Sequence, residues 1–309
     1  MADDADIQDQ LKLALDETRM SIMGVQILIC FQLDAVVQEG FALLPTSSRT
    51  CVGLALVLMA LAAGVLIAPA AQHRLVEQGE ATSRIVAVTT RLVAIALFLF
   101  AVGFGLDMYV AMERIAGAPA ALSFAIATFM AALLFWYGSA RLTRAGKVRA
   151  MTDTVKPTPL TRKLDYMLTE ARVLLPGVQA LLGFQLIAVL TKPFEQLPVA
   201  FKIVHAGGLV MLAVAIVLLL APAALHRLGF GGEDAQAVHK IGSIMVTAAS
   251  VPLALAIAGE VAVAIGAIAG RLDVGAAVAV FVLLVLCVLW YAWPLVIRAQ
   301  LGRDFPRRA

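Results

Sequence analysis

Eight apolar runs set the limits on what this chain can fold into. They cover approximately 20–37, 51–71, 88–112, 118–140, 173–191, 206–225, 243–268 and 274–297. A helix needs about 20 such residues to cross the hydrocarbon core of a bilayer. The runs do not alternate, and a barrel strand needs only about ten residues, so strands do not compete. A soluble globule is nearer half apolar and a quarter charged. This chain is 61% hydrophobic and 15% charged, which places it in a membrane.

The second constraint is an internal repeat. Setting residue n against n+153 aligns 15–80 with 168–233 without a gap, and about 29 of the 66 positions are identical. Gly24/Gly177, Gln26/Gln179, Phe31/Phe184, Gln32/Gln185 and Pro45/Pro198 all match. "APAAQHRL" at 68–75 returns as "APAALHRL" at 221–228. The register slips by one before the fourth helix, where Trp136-Tyr137 matches Trp290-Tyr291. Self-similarity on this scale marks a duplicated structural unit. Four helices is an even number, so both copies enter the membrane the same way round. The expected fold is all-α: a polytopic membrane protein of eight transmembrane helices, built as two parallel four-helix repeats. A pseudo-two-fold axis along the membrane normal relates them.

Basic residues set the orientation. With the amino terminus cytoplasmic, all but Arg49, Arg114, Lys192, Lys202 and Arg271 of the 24 Lys and Arg fall on the cytoplasmic side. Both termini are therefore expected inside. The acidic start MADDADIQDQLK lacks the basic region and cleavage site of a signal peptide, so insertion is expected through an internal helix. The chain divides into a polar segment 1–19, repeat one at 20–140, a basic linker 141–172, repeat two at 173–298 and a basic tail 299–309. Leu11/Leu15 and Leu164/Leu168 sit four apart in polar sequence, the pattern of short amphipathic helices lying on the inner surface. Ala60, Gly64 and Ala68, and again Ala262, Gly266 and Gly270, are small residues four apart that let helices approach closely. The Trp-Tyr pairs read as interfacial anchors.

The phrase E-x-R-x4-G-x-Q, followed by A-P-A-A-x-H-R, resembles bacterial multi-pass proteins catalogued as domain of unknown function 6328. Glu17, Arg19, Gly24, Gln26 and Ala68 to Arg74 carry the likeness, with Glu170, Arg172, Gly177, Gln179 and Ala221 to Arg227. The resemblance implies a bacterial inner-membrane protein and a tandem form of a unit that usually occurs once. A sodium:proton antiporter assignment attached to some members brings no residue role with it.

Chemistry must come from polar groups inside the apolar runs. Gln26 and Gln32 are six residues apart, roughly 9 Å along a helix and about 120° around it, so one narrow pore cannot take both. Each amide, like Gln179 and Gln185 in the copy, either bonds across helices for about 0.6 kcal/mol or lines a solute path. Glu260 stands in "VPLALAIAGEVAVAIGAIAG", and its equivalent at n−153 is Asp107. Ionisable groups inside a membrane are functional candidates, and a carboxyl that exchanges protons is what a proton-coupled carrier needs. The bland alternative is a hydrogen-bonded acid packed at the outer interface. A cytoplasmic set comprises Glu17, Arg19, His73 and Arg74, repeated as Glu170, Arg172, His226 and Arg227. Antiparallel neighbours would pair Glu17 with Arg74 and Glu170 with Arg227. Histidines there would sense inner pH, or the whole set anchors helix ends by snorkelling.

Several classes are excluded by motif. There is no GxxxxGK[ST], HExxH, CxxC or GxSxG in a suitable context, so neither a cofactor nor an enzyme activity is expected. Four histidines without ligand spacing give no metal site, and the basic residues lack the aromatics of a nucleic-acid surface. Cys30, Cys51 and Cys287 read as small hydrophobes. The expected partners are the bilayer, anionic lipids at the basic linker, a small ion, and either a second copy of the chain or another membrane protein. Two functions stay open: a small-ion or solute carrier with its path between the repeats, and a non-transporting scaffold, sensor or accessory subunit.

Overall fold

The computed structural model describes residues 2–134, 137, 158–189, 191–226, 230 and 235–304, and no strand occurs among them. Repeat one contributes α1 (Ala2–Val36), α2 (Thr46–Leu75), α3 (Ser83–Ala116) and α4 (Ala118–Leu133). Repeat two contributes α5 (Leu160–Ala188), a short α6 (Lys192–Gln196), α7 (Val199–Ala224), α8 (Gln236–Ala269) and α9 (Leu272–Cys287). A π-turn over Val288–Ala292 joins α9 to α10 (Trp293–Asp304). α6 falls 153 residues after the 3₁₀ turn Glu39–Leu43, so even the connectors correspond.

Among the described residues, six helices are long and apolar enough to cross a bilayer. The apolar parts of the other two, Ser21–Val36 and Ala118–Leu133, are shorter. The amphipathic leucines do not form separate surface helices. They belong to the first turns of α1 and α5, which run unbroken into the apolar stretches. Leu11 and Leu15 pack with Ala81, Ile85 and Tyr166 in a small core of their own, so helix continuation and protein contacts replace a membrane surface.

Each repeat packs alike internally: its first helix against its second, its second against its third, its third against its fourth. The repeats meet along α1 and α5, where Phe31 and its own equivalent Phe184 stand edge to face, centroids 5.3 Å apart. Away from that seam, equivalent helices are unequally covered. In α2 and α8, 72% of the most apolar stretch is buried; in α7 and α3, the figure is 28%. The cause is local. On α2, Gly64 leaves room for Leu286, which a Cβ there would strike. Trp290, 1% exposed, donates its indole N–H to the Gly64 carbonyl at 2.8 Å. Position 217, the counterpart of Gly64, is a valine and is 68% exposed. Trp290 is thus a joint between repeats and not an interfacial anchor, aimed at α2 by the π-turn. Tyr291 is likewise held inside, its hydroxyl 2.5 Å from Ser250 Oγ and 3.0 Å from the Thr247 carbonyl. Trp136 lies outside the described residues.

The bundle has two ends. One, the turn end, carries the α1–α2 and α5–α7 connections. The other, the linker end, carries the α2–α3 turn and the starts of α5 and α8. At the linker end Glu80 accepts from Lys163 Nζ and from the Thr158 amide at 2.7 Å. Partial burial pushes the Glu80 carboxyl up, but the hydrogen bonds from Lys163 and Thr158 outweigh it and hold it below its ordinary value of 4.5. A depressed carboxyl stabilises the fold above that value and loses its contribution as pH falls through the lowered one. The stability difference between the wild type and Glu80→Gln should therefore be constant from pH 5 upward and shrink on acidification below about pH 4.5. Thermal melts across that range would show it; a gap that widens on acidification would contradict it.

Candidate functional site between the repeats

The most polar buried point in the apolar layer lies in repeat two. α6 is capped by the Thr191 hydroxyl, which accepts from the Phe194 amide. Pro198 then starts α7, so that His205 enters the bundle in its second turn. The ring is 3% exposed, and Phe194 meets it edge-on at 4.9 Å. Its Nδ1 lies 3.0 Å from Glu260 Oε2, and its Nε2 lies 3.2 Å from the Gln185 backbone carbonyl. A carbonyl only accepts, so Nε2 carries a hydrogen. One further proton then lies between Nδ1 and Oε2, giving either imidazolium–carboxylate or imidazole–carboxylic acid. Both forms are neutral overall. Losing that proton leaves a net negative charge in an apolar wall, so the pair binds a proton and releases it only against a cost.

Glu260 is 4% exposed, and its Oε1 has no hydrogen-bond partner among the described residues. Gly208 makes room for it, since a Cβ there would collide with Oε1. The pair borders a cavity of about 50 Å³ that opens at the turn end. Leu33, Asp34 and Val37 of repeat one wall it on one side, Phe184 and Phe194 on the other. That is room for water. Further from the turn end lies a smaller void of about 10 Å³, lined by Ile29, Leu56, Leu181 and Leu212 together with Gln185 and Glu260 themselves. Glu260 therefore stands between a recess with room for water and a narrow plug walled mainly by Ile29, Leu56, Leu181 and Leu212.

Repeat one has the same scaffold with different chemistry. Asp107, the counterpart of Glu260, accepts from Gln32 Nε2 at 2.9 and 3.1 Å. Position 52, the counterpart of His205, is valine. The acid there is held by an amide and shares no proton with a base.

At the linker end the expected partners are exchanged. Glu170, 2% exposed, binds His73 Nδ1 through Oε1 at 2.7 Å and Arg74 Nη1 through Oε2 at 2.5 Å. Arg74 Nε also donates to Thr247 Oγ1 at 3.1 Å. The acid of repeat two is thus bound by the bases of repeat one. α5 lies against α1 at the seam, and the end of α2 reaches across it. The Glu17 side chain and Arg227 lie outside the described residues. His73 and Arg74 are buried rather than snorkelling, whereas Arg19 and Arg172 are exposed and His226 is half-buried.

The glutamines divide too. Gln26 is fully buried in the α1–α5 seam, seated on Gly177, where any Cβ would collide with its amide. Its equivalent Gln179 is exposed. On α5, Glu170, Gly177 and Gln185 follow at seven and eight residues, so the two charged clusters lie about 22 Å apart with Gln26 midway. Gln26 has no hydrogen-bond partner among the described residues, which leaves a polar step in an otherwise apolar seam.

A family model matches the chain twice, over residues 7–140 and 155–294. The chain belongs to DUF6328, a family of unknown function. The two matches coincide with the two repeats, so this DUF6328 protein is a tandem double copy. No match was found among curated proteins or among solved structures. Its buried pair in repeat two shows what the sequence reading missed. His205 is an ionisable residue in an apolar helix, placed where the other copy has valine. Comparing the repeats for differences would have found it.

Proposed function

We propose that the protein is a proton-linked carrier of a small ion or solute in the bacterial cytoplasmic membrane. On this reading eight helices cross the bilayer, both termini are cytoplasmic, and the turn end faces outward. The repeats lie parallel, with Phe31 and Phe184 at the pseudo-two-fold axis. The observation that carries the reading is the Glu260–His205 pair, with one free carboxylate oxygen at the floor of a recess between the repeats. Buried ionisable groups in a membrane are found on proton and ion pathways. The arrangement supports a cycle in which the pair takes a proton from the outward recess. The narrow plug below it must open for that proton, or a coupled solute, to pass inward. Gln26 and the Glu170 cluster are the polar groups available beyond the plug.

The narrowness of that plug also favours a second reading, in which nothing passes and the protein works as a scaffold, sensor or accessory subunit through lipids or partners. Liposomes holding a pH-sensitive dye separate the two. Purified protein should move protons when sodium, potassium or proton gradients are imposed. Glu260→Gln and His205→Val, the latter restoring the residue of repeat one, should each reduce that flux to the level of protein-free liposomes while leaving the protein folded. Absence of flux from the wild type, or full flux from both variants, would reject the carrier.

A further inference from the structure

A cleft far larger than the recess at the Glu260 pair lies elsewhere. It lies at the linker end, has a volume of about 760 Å³, and is bounded by the end of α2, the start of α5 and the start of α8. Arg74, Lys163, Lys240, His73 and His239 line it, with Glu170 the one acid on its wall among the described residues. Glu170 is already neutralised by Arg74, and Lys163 is matched by Glu80. Lys240 has no acidic partner among the described residues, so among them its positive charge is unmatched.

The start of α8 adds to it. The residue before the helix is Ala235, whose side chain caps nothing. The Val238 and His239 amides bond to the Ala235 carbonyl at 3.0 and 3.3 Å. The Gln236 and Ala237 amides, whose residues both line the cleft, have no backbone partner among the described residues. Free amides and the positive end of the helix dipole attract anions. The independent observation is His73. It is 2% exposed, its Nδ1 is committed to Glu170, and its Nε2 is buried with no partner among the described residues. With Nδ1–H on the carboxylate, Nε2 of the neutral ring accepts, which suits a hydroxyl on the ligand. Opposite it, the α2–α3 turn closes in through Gly79, at φ +83°, where a Cβ would lie 3.1 Å from His239 Nε2.

The geometry points to a binding site for a phosphate-bearing anion that also carries a hydroxyl. The oxygens are taken by Lys240 and the α8 amides, and the hydroxyl by His73 Nε2. Hydrogen phosphate and its monoesters have that chemistry, and so does the glycerol phosphate headgroup of an anionic lipid. The site needs neither Glu260 nor transport.

Binding is tested on the full chain in phosphatidylcholine nanodiscs, with inorganic phosphate added, and in nanodiscs containing phosphatidylglycerol. Thermal melting and native mass spectrometry give the readouts. The wild type should melt higher, and hold the adduct, with at least one of the two probes. Lys240→Ala and Gln236→Glu should weaken that binding by about tenfold or more, the loss expected from roughly 1.4 kcal/mol. Lys202→Ala, at the turn end, should bind as the wild type does. Stabilisation by phosphate in phosphatidylcholine identifies a soluble anion; stabilisation only in phosphatidylglycerol identifies a headgroup. No response to either probe, or equal binding by wild type and both cleft variants, overturns the site.

Discussion

Glu170→Leu should lower the stability of the folded protein by roughly 3–5 kcal/mol, the loss seen when one partner of a buried ion pair is removed. The substitution leaves Arg74, with a side chain 4% exposed, as an uncompensated charge between the repeats. It also strips His73 Nδ1 of its acceptor. Glu170→Gln, which keeps two polar atoms, should fall between. The second half of the test is the double variant Glu170→Leu with Arg74→Met. Replacing both members of a buried pair with apolar residues is often neutral or better, so this protein should recover most of the loss. Unfolding in mixed detergent micelles, followed by circular dichroism, measures both. Wild-type stability for Glu170→Leu alone would mean that the cross-repeat pair does not form.

Gly275→Ala should cost about 1–3 kcal/mol, the usual penalty for forcing atoms into a packed interface. α9 passes so close to α8 that a Cβ on Gly275 would collide with the Ala262 carbonyl. It would also lie 2.8 and 2.9 Å from the Gly266 nitrogen and Cα. All three are backbone atoms, so no side chain can swing aside and the helices must part. Gly64→Ala should be milder, because the nearest atom belongs to the Leu286 side chain. Gly207→Ala gives the opposite sign: a Cβ there meets nothing within 4 Å, and alanine in an exposed helix interior gains roughly 0.5–1 kcal/mol over glycine. Melting temperatures of the three variants should rank in that order. A Gly275→Ala protein as stable as Gly207→Ala would show that α8 and α9 are not in such close contact.

Much of the architecture could be read from residue order alone. The apolar runs located the helices, and the n+153 register located the repeat, down to the match between α6 and the 3₁₀ turn at Glu39–Leu43. Close packing was visible as well, since Ala60, Gly64 and Ala68 are all buried on α2. The pairing of charges was not. Glu17 and Glu170 are the same residue in two copies, as are Arg74 and Arg227, so pairing within a repeat and pairing across repeats leave the same sequence trace. Only the reach of the end of α2 toward α5, through His73 and Arg74 to Glu170, decides between them. Gln32 and Asp107 were each visible as candidates, but their bond joins helices separated by 75 residues. The same limit hid the environment of the glutamines: Gln26 and Gln179 have equal sequence signatures, and unequal docking buries one while exposing the other. Trp290 was misread because a tryptophan near a helix end looks the same whether it points to headgroups or to a neighbouring backbone.

The valine at position 52 opposite the histidine at position 205 has a consequence for what gene fusion permits. Two separate single-unit chains assembling as a homodimer must change in step, so an imidazole would appear on both sides of the axis or on neither. Covalent linkage frees each half to drift alone. One half keeps an amide–acid contact while the other holds a histidine–acid pair, so among the described residues that pair stands on one side of the α1–α5 seam alone.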